Sequence, residues 1–241
     1  MTSSRWPLPS LLLSLLVQSA ASSPNATNAS PLQTVTLAAI LPLTNTAYAW
    51  AWPRVGAALQ RAVRQVNSDP TLLPGLTLRL VHNNSENADG FCSDFMAPLV
   101  AVDLREDYNP WAFIGPGCDY SSSPVARFTT HWDIPMVSGK GVLGHPNVHA
   151  SVTNTGPTHQ KLGELGLRLQ ARFEWQRRAM LVYSDNKDAN DDRPCYFAVE
   201  GFYTVLGDHN ITVMDHSIET DNVNYGDVVK AIRNNARGSF D

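Results

Sequence analysis

The sequence predicts an α/β protein with two lobes of parallel sheet and flanking helices. Short apolar, strand-like segments alternate with longer segments whose apolar residues recur at helical spacing. This order is typical of parallel sheets with helical crossovers. The segment Lys140–Asn154 contains glycines, a proline and little periodicity, and we interpret it as the crossing between the lobes. Only two clear strands follow it, so we expect the second lobe to be incomplete.

The first lobe is predicted over residues 34–150. Its strands are mostly apolar, as expected for strands buried between two layers of helices. One helix begins beside Pro53, where a missing N–H costs nothing, and another begins at Ser122 or Ser123, which can cap its first turn. In chain order we predict a strand over 35–41, a helix containing Val55–Val66, a strand over 76–80, a helix over 92–104 with Met96, Leu99, Val100 and Leu104 on one face, a strand over 111–114, a helix with Val125 and Phe128 turned inward, and a strand over 134–137.

The second lobe is predicted over residues 151–241. A helix over 158–173 carries an apolar stripe at helical spacing, formed by Leu162, Leu165, Leu169 and Phe173. A strand over 179–183, a helix over 195–206, a strand over 211–214 and a last helix around Tyr225–Ile232 follow. This order repeats the strand–helix alternation of the first lobe.

The amino terminus has the layout of an export signal. Arg5 precedes an apolar core over Leu8–Val17, and small residues follow at 19–21. Because this core is shorter than the ~20 residues of a membrane span, we predict a cleaved signal peptide over 1–21 and a flexible segment over 22–33. Export makes the sequons at Asn25, Asn28 and Asn210 candidate glycosylation sites.

Composition and charge exclude several function classes. The chain has 241 residues and a net charge of −4 without a basic run, which argues against nucleic acid as a partner. No phosphate-binding loop, nucleophile elbow or zinc-protease motif is present. We therefore expect a binding module that is not an enzyme and holds no metal.

The three cysteines are Cys92, Cys118 and Cys195. An exported protein usually has an even number, paired in disulfides. The odd count leaves three explanations open: a free thiol, a partner beyond Asp241, or a bridge between two chains.

Several motifs occur in a characteristic order. They are Ala49–Gly56, Ser85–Ala88 followed by Cys92–Asp94, Gly115–Cys118, Pro124–Phe128 with His131–Trp132, and Cys195–Phe197 with Val199–Gly201. In order and spacing the chain resembles the ectodomains of natriuretic peptide receptors. The first half is most similar to the A-type, guanylyl-cyclase receptor, while His131–Met136 and Tyr183–Asp185 are more similar to the C-type clearance receptor. The resemblance implies a fold like that of the type I periplasmic binding proteins.

The resemblance also implies a hormone site. Asp94 and Glu200 would pair with arginine of a basic peptide, and aromatic residues would anchor its apolar ring. An aspartate after a cysteine also caps helices, and a tyrosine at a strand end also serves packing. The implied hormone contacts are Asp94, Tyr120, Arg127, Tyr183, Tyr196, Phe197 and Glu200.

Further sites follow from the same resemblance. A buried chloride ion would be held by Ser85, Gly117 and Cys118, although a glycine turn before a helix needs no ion. Cys92 and Cys118, which lie on loops after successive strands, would form a disulfide worth about 3 kcal/mol. Cys195 would stay unpaired here because its partner lies beyond the end of the chain. Asp103 and His131 would lie in a homodimer interface.

The function implied is extracellular binding of a natriuretic peptide, with cyclic GMP signalling in a longer, membrane-anchored parent. A chain that ends at residue 241 would be secreted, and would fold poorly with an unfinished second sheet. Two alternatives remain: a small-molecule binding protein of the same fold, and a truncated product without function.

Overall fold

The computed structural model describes residues 32–139, 150–175, 177–184, 193–218 and 223–236. The predicted signal peptide and the sequons at Asn25 and Asn28 lie outside these residues. The helices and strands are β1 Gln33–Leu41, α1 Trp52–Ser68, β2 Leu76–Asn84, α2 Met96–Tyr108, β3 Ala112–Ile114, α3 Asp119–His131, β4 Met136–Ser138, β5 Val152–Asn154, α4 His159–Arg172, β6 Arg178–Ser184, α5 Pro194–Asp208, β7 Thr212–Ile218 and α6 Tyr225–Asn235.

The first sheet is parallel and has the strand order β2-β1-β3-β4-β5. The prediction of parallel sheets joined by helices is confirmed. β5 lies inside the segment that we interpreted as the crossing, so that segment includes an edge strand of the first sheet. The direction of winding reverses between β1 and β3, and in open α/β sheets the crevice outside the carboxyl ends of such strands is where ligands bind.

The core of the first lobe lies between this sheet and helices α2 and α3. Ala38 and Ile40 of β1, Phe113 of β3 and Met136 of β4 are fully buried there. The predicted apolar face of α2 is wrong at Leu99, which is 46% exposed. The small side chains of Ala97 and Ala101 face the core in its place, which brings α2 close to the sheet.

The second lobe contains a parallel pair, β6 and β7, with helices α4, α5 and α6. Its buried apolar cluster consists of Ala179, Leu206 and Ile211. Helices α4 and α5 approach closely through glycines: a Cβ on Gly163 would lie 2.2 Å from the carbonyl oxygen of Gly201. In this lobe α4 therefore buries its glycine face.

Most of the apolar stripe predicted for α4 does not face the core, although Leu162 is half-buried. Leu165, Leu169 and Phe173 are all exposed, while Gly163 and Gly166 are the buried residues of this helix. The four-residue repeat identifies an apolar face, but the close approach of α5 determines which face is covered.

No helix in the described part of the chain is both long enough and apolar enough to span a membrane.

Candidate ligand-binding site

A disulfide fixes the loop that precedes α3. Cys92 and Cys118 are bonded, with their Cα atoms 6.3 Å apart, which confirms the predicted pair. The bond joins the loop after β2 to the amino terminus of α3. Both loops lie at the carboxyl edge of the sheet, on either side of the end of β1.

Two glycines let the β3–α3 loop pass close to the end of β1. Gly115 has φ +80°, and a Cβ there would lie 2.5 Å from the carbonyl oxygen of Ile40. A Cβ on Gly117 would lie 2.4 Å from Cδ1 of Trp50, in the β1–α1 loop. A larger residue at either position would push the loop away from the switch point between β1 and β3.

The predicted chloride residues flank the end of β1. Ser85 follows β2 and its N–H donates to the carbonyl oxygen of Leu41 at 3.3 Å, while Gly117 and Cys118 are buried on the β3 side. The side chain of Ser85 is 1% exposed, and its Oγ has no hydrogen-bond partner among the described residues. A buried hydroxyl without a partner is costly, so the Ser85 hydroxyl is a donor that a small anion could satisfy.

Glu86, the residue after Ser85, anchors the β1–α1 loop. Its carboxylate, only 4% exposed, accepts hydrogen bonds from the N–H and hydroxyl of Thr44 and from the N–H of Asn45, at 2.6–3.1 Å. Burial acts to raise the pKa of Glu86, but the donors on Asn45 and Thr44 outweigh it and hold that pKa below its ordinary value. The loop is thus held by an ionised carboxylate.

Four of the predicted hormone residues form an aromatic cluster between the lobes. Tyr120, in the first turn of α3, lies 4.9 Å from Phe197 of α5 in an edge-to-face arrangement. Tyr196 lies 5.4 Å from Phe197 and 6.5 Å from Tyr183, between ring centroids. Phe197 is 3% exposed, whereas the three tyrosines are half-buried. The cluster therefore has an apolar floor and a rim of phenol groups.

Polar contacts join the lobes beside this cluster. Oδ1 of Asp119, which is completely buried, lies 3.0 Å from Nε2 of His159 at the start of α4. Nη1 of Arg193, at the start of α5, donates to the Tyr120 hydroxyl at 3.1 Å. Sequence reasoning missed Asp119, His159 and Arg193, because residues 40 and 73 positions apart along the chain leave no periodic signal of their contact.

The remaining predicted residues make no contact with the cluster among the described residues, although Glu200 follows Tyr196 by one helical turn on α5. Asp94 precedes α2, Arg127 lies on α3 and Glu200 lies on α5; all three are exposed, and no hydrogen bond, ion pair or ring contact within the described residues joins them to it. Asp103 of α2 and His131 of α3 are exposed as well. Cys195 is exposed and forms no disulfide within the described residues.

The arrangement suits binding of an aromatic or apolar group. Within the described residues, no group of histidine, cysteine, aspartate and glutamate side chains is placed to hold a metal ion.

Solved structures establish the fold. An ABC transporter substrate-binding protein from Desulfitobacterium hafniense superimposes with a TM-score of 0.57 at 16% identity, covering 84% of this chain and 55% of that one. A leucine binding protein from Thermotoga maritima gives a TM-score of 0.53 at 15% identity, covering 83% and 53%. The expected periplasmic-binding-protein-like fold is confirmed.

Sequence relatives are receptors. Atrial natriuretic peptide receptor 2 of Rattus norvegicus and of Homo sapiens are each 40% identical, over 88% and 86% of this chain. Atrial natriuretic peptide receptor 3 of Homo sapiens is 29% identical over 86% of the chain. The chain spans 19% of the length of the receptor 2 relatives and 38% of receptor 3.

The matching region is a binding domain. Residues 54–239 match the family described as the receptor family ligand binding region, which is not a catalytic domain. The chain therefore belongs to the receptor family ligand binding region, and it is similar to atrial natriuretic peptide receptors 2 and 3.

Proposed function

We propose that this chain is an extracellular region that binds a natriuretic peptide hormone. The observation that carries the proposal is the aromatic cluster formed by Tyr120 from the first lobe and Tyr183, Tyr196 and Phe197 from the second. Half-buried tyrosines around a buried phenylalanine are the type of surface that anchors binding partners. Binding at a contact between lobes biases their relative position, and a longer parent with a cyclase domain would convert that bias into cyclic GMP signalling.

Exposed carboxylates on both lobes could pair with a basic peptide. Asp94 and Glu200 are exposed carboxylates, one on each lobe, and the chain as a whole carries a net charge of −4. Exposed ion pairs weaken as salt screens them. Affinity for an arginine-containing peptide is therefore expected to fall with ionic strength, while the aromatic contribution persists.

We further propose that Ser85, Gly117 and Cys118 hold a structural chloride ion. The unpartnered, buried hydroxyl of Ser85 supports this. Chloride should raise the melting temperature of the wild-type chain more than gluconate does, and Ser85→Ala should remove that difference. Equal stabilisation by both anions in the wild type would contradict the proposal.

Two features fit a glycosylated, dimeric receptor. Asn210 is exposed in the turn between α5 and β7, with φ +60°, where a glycan is readily accommodated. Asp103 and His131 are exposed on the adjacent helices α2 and α3, so both are available to a second copy. Sedimentation of the wild type and of a variant with both residues changed to alanine tests the dimer: equal association of the two proteins would contradict it.

Calorimetric titration tests the proposed function. We expect saturable binding of an atrial-type natriuretic peptide that weakens as salt is raised, and no heat from free leucine. Binding of leucine without peptide binding would favour the small-molecule alternative and overturn the hormone proposal. A folded chain that binds neither would overturn it as well.

A further inference from the structure

Arg193 is a residue that contacts both lobes. It precedes α5, and its carbonyl oxygen accepts the N–H of Phe197 at 3.1 Å, which fixes its backbone at the start of that helix. Its Nη1 donates to the hydroxyl of Tyr120 at 3.1 Å. Its guanidinium carbon lies 3.9 Å from the centre of the Tyr196 ring. One side chain therefore touches a tyrosine from each half of the aromatic cluster.

We propose that Arg193 is a positioning residue for ligand binding, which holds Tyr120 and Tyr196 in the orientation that receives the ligand. This role rests on the proposed function of the same site. A side chain already held in its bound orientation loses less conformational entropy on binding. Arg193 thereby raises affinity without supplying a ligand contact of its own.

The chemistry of arginine fits this role better than that of lysine. The guanidinium is planar, so it stacks on a ring while its N–H groups stay free to donate at the edge. The ammonium group of lysine is a compact charge without a flat face. It cannot stack as well on the Tyr196 ring while it donates a hydrogen bond to Tyr120. The positive charge of Arg193 also repels a basic peptide. Arg193 is therefore not expected to bind charged groups of the ligand directly.

A second contact keeps the lobes together when Arg193 is changed. The pair of Asp119 and His159 joins the same turn of α3 to the start of α4, and it does not involve Arg193. Loss of the Arg193 side chain is therefore expected to release the tyrosines without separating the lobes.

The test is a double-mutant cycle on the full chain, with Arg193→Ala, Tyr120→Phe and both together, read by peptide dissociation constant and melting temperature. We expect Arg193→Ala to weaken binding about tenfold with little change in melting temperature, and Tyr120→Phe about threefold, as for the loss of one cation–π contact or one hydrogen bond. Tyr120→Phe should add little once Arg193 is alanine, since their effects share one contact. Arg193→Lys should recover part of the affinity.

Arg172→Ala is the matched control, because Arg172 also lies over an aromatic ring, that of Phe173, but away from the site. It should bind peptide like the wild type. Unchanged affinity in Arg193→Ala, or strictly additive effects with Tyr120→Phe, would overturn the positioning role alone. If Arg193→Ala does not fold, the Arg193→Lys and Tyr120→Phe chains decide the same question. Absence of peptide binding by the wild type would overturn the proposed function itself.

Discussion

The two lobes share a strand–helix plan but differ in how they are stabilised. The first lobe buries a large apolar cluster under five strands, and a disulfide and a buried carboxylate fix its loops. Among the residues that the structure describes, the second lobe buries a small cluster beneath two strands, and its helices α4 and α5 approach closely through glycines. Helix α6 has no buried residue. The first lobe is therefore the more extensively stabilised of the two, and the aromatic residues of the second lobe pack against it at Tyr120.

The largest expected loss of stability comes from creating a cavity in the core of the first lobe. Phe113→Ala removes a fully buried ring and should lower the free energy of unfolding by about 3–5 kcal/mol, the range for such cavities. Leu206→Ala in the second lobe should cost less, about 2 kcal/mol, because its small cluster collapses more readily. Denaturant unfolding of both variants measures this. Leu206→Ala as the more damaging change would contradict the difference between the lobes.

The glycine contact between α4 and α5 is the next test. A Cβ on Gly201 would lie 2.2 Å from the carbonyl oxygen of His159, so Gly201→Ala should force the helices apart and cost about 1–3 kcal/mol. Gly207, on the same helix, has nothing within 4 Å of an added Cβ. Gly207→Ala should stabilise by about 0.5–1 kcal/mol through helix propensity. Thermal melts distinguish the expected destabilisation by Gly201→Ala from the expected stabilisation by Gly207→Ala. Equal effects of the two substitutions would show that helix propensity, and not the close approach of α4, decides the stability at both positions.

A smaller, pH-dependent effect is expected at Glu86. Its pKa is lowered on folding, so the ionised carboxylate stabilises the fold above its ordinary pKa, and this contribution is lost as pH falls through the folded value. Glu86→Gln should cost about 1–3 kcal/mol at neutral pH, and the difference from wild type should shrink in acid. Glu106→Gln, on the exposed side of α2, is the control. A pH-independent difference would contradict the assignment.

Most of the fold was predictable because buried strands and amphipathic helices leave periodic patterns. The strands predicted over 179–183 and 211–214 lie within β6 and β7. β5 was missed because three residues after an irregular segment carry no detectable period. Leu99 and the α4 stripe show the complementary error: periodicity indicates an apolar face, whereas exposure depends on which element packs against it.

The site was predictable in part. The resemblance identified the disulfide and the aromatic residues that the structure brings together, Tyr120, Tyr183, Tyr196 and Phe197. Sequence reasoning missed Arg193, Asp119 and His159. Their contacts form only where the two lobes meet, between residues that are far apart along the chain. The A-type assignment and the roles of Asp94, Arg127 and Glu200 stay predictions.

Hydrogen exchange with and without an atrial-type natriuretic peptide tests the central claim most directly. If the peptide binds at the aromatic cluster, amides in the first turns of α3 and α5, around Tyr120 and Tyr196, should exchange more slowly when it is present. Amides in the last turn of α1, around Val66, at the opposite edge of the first sheet, should be unaffected. Peptide binding that protects neither the start of α3 nor that of α5 would contradict the account.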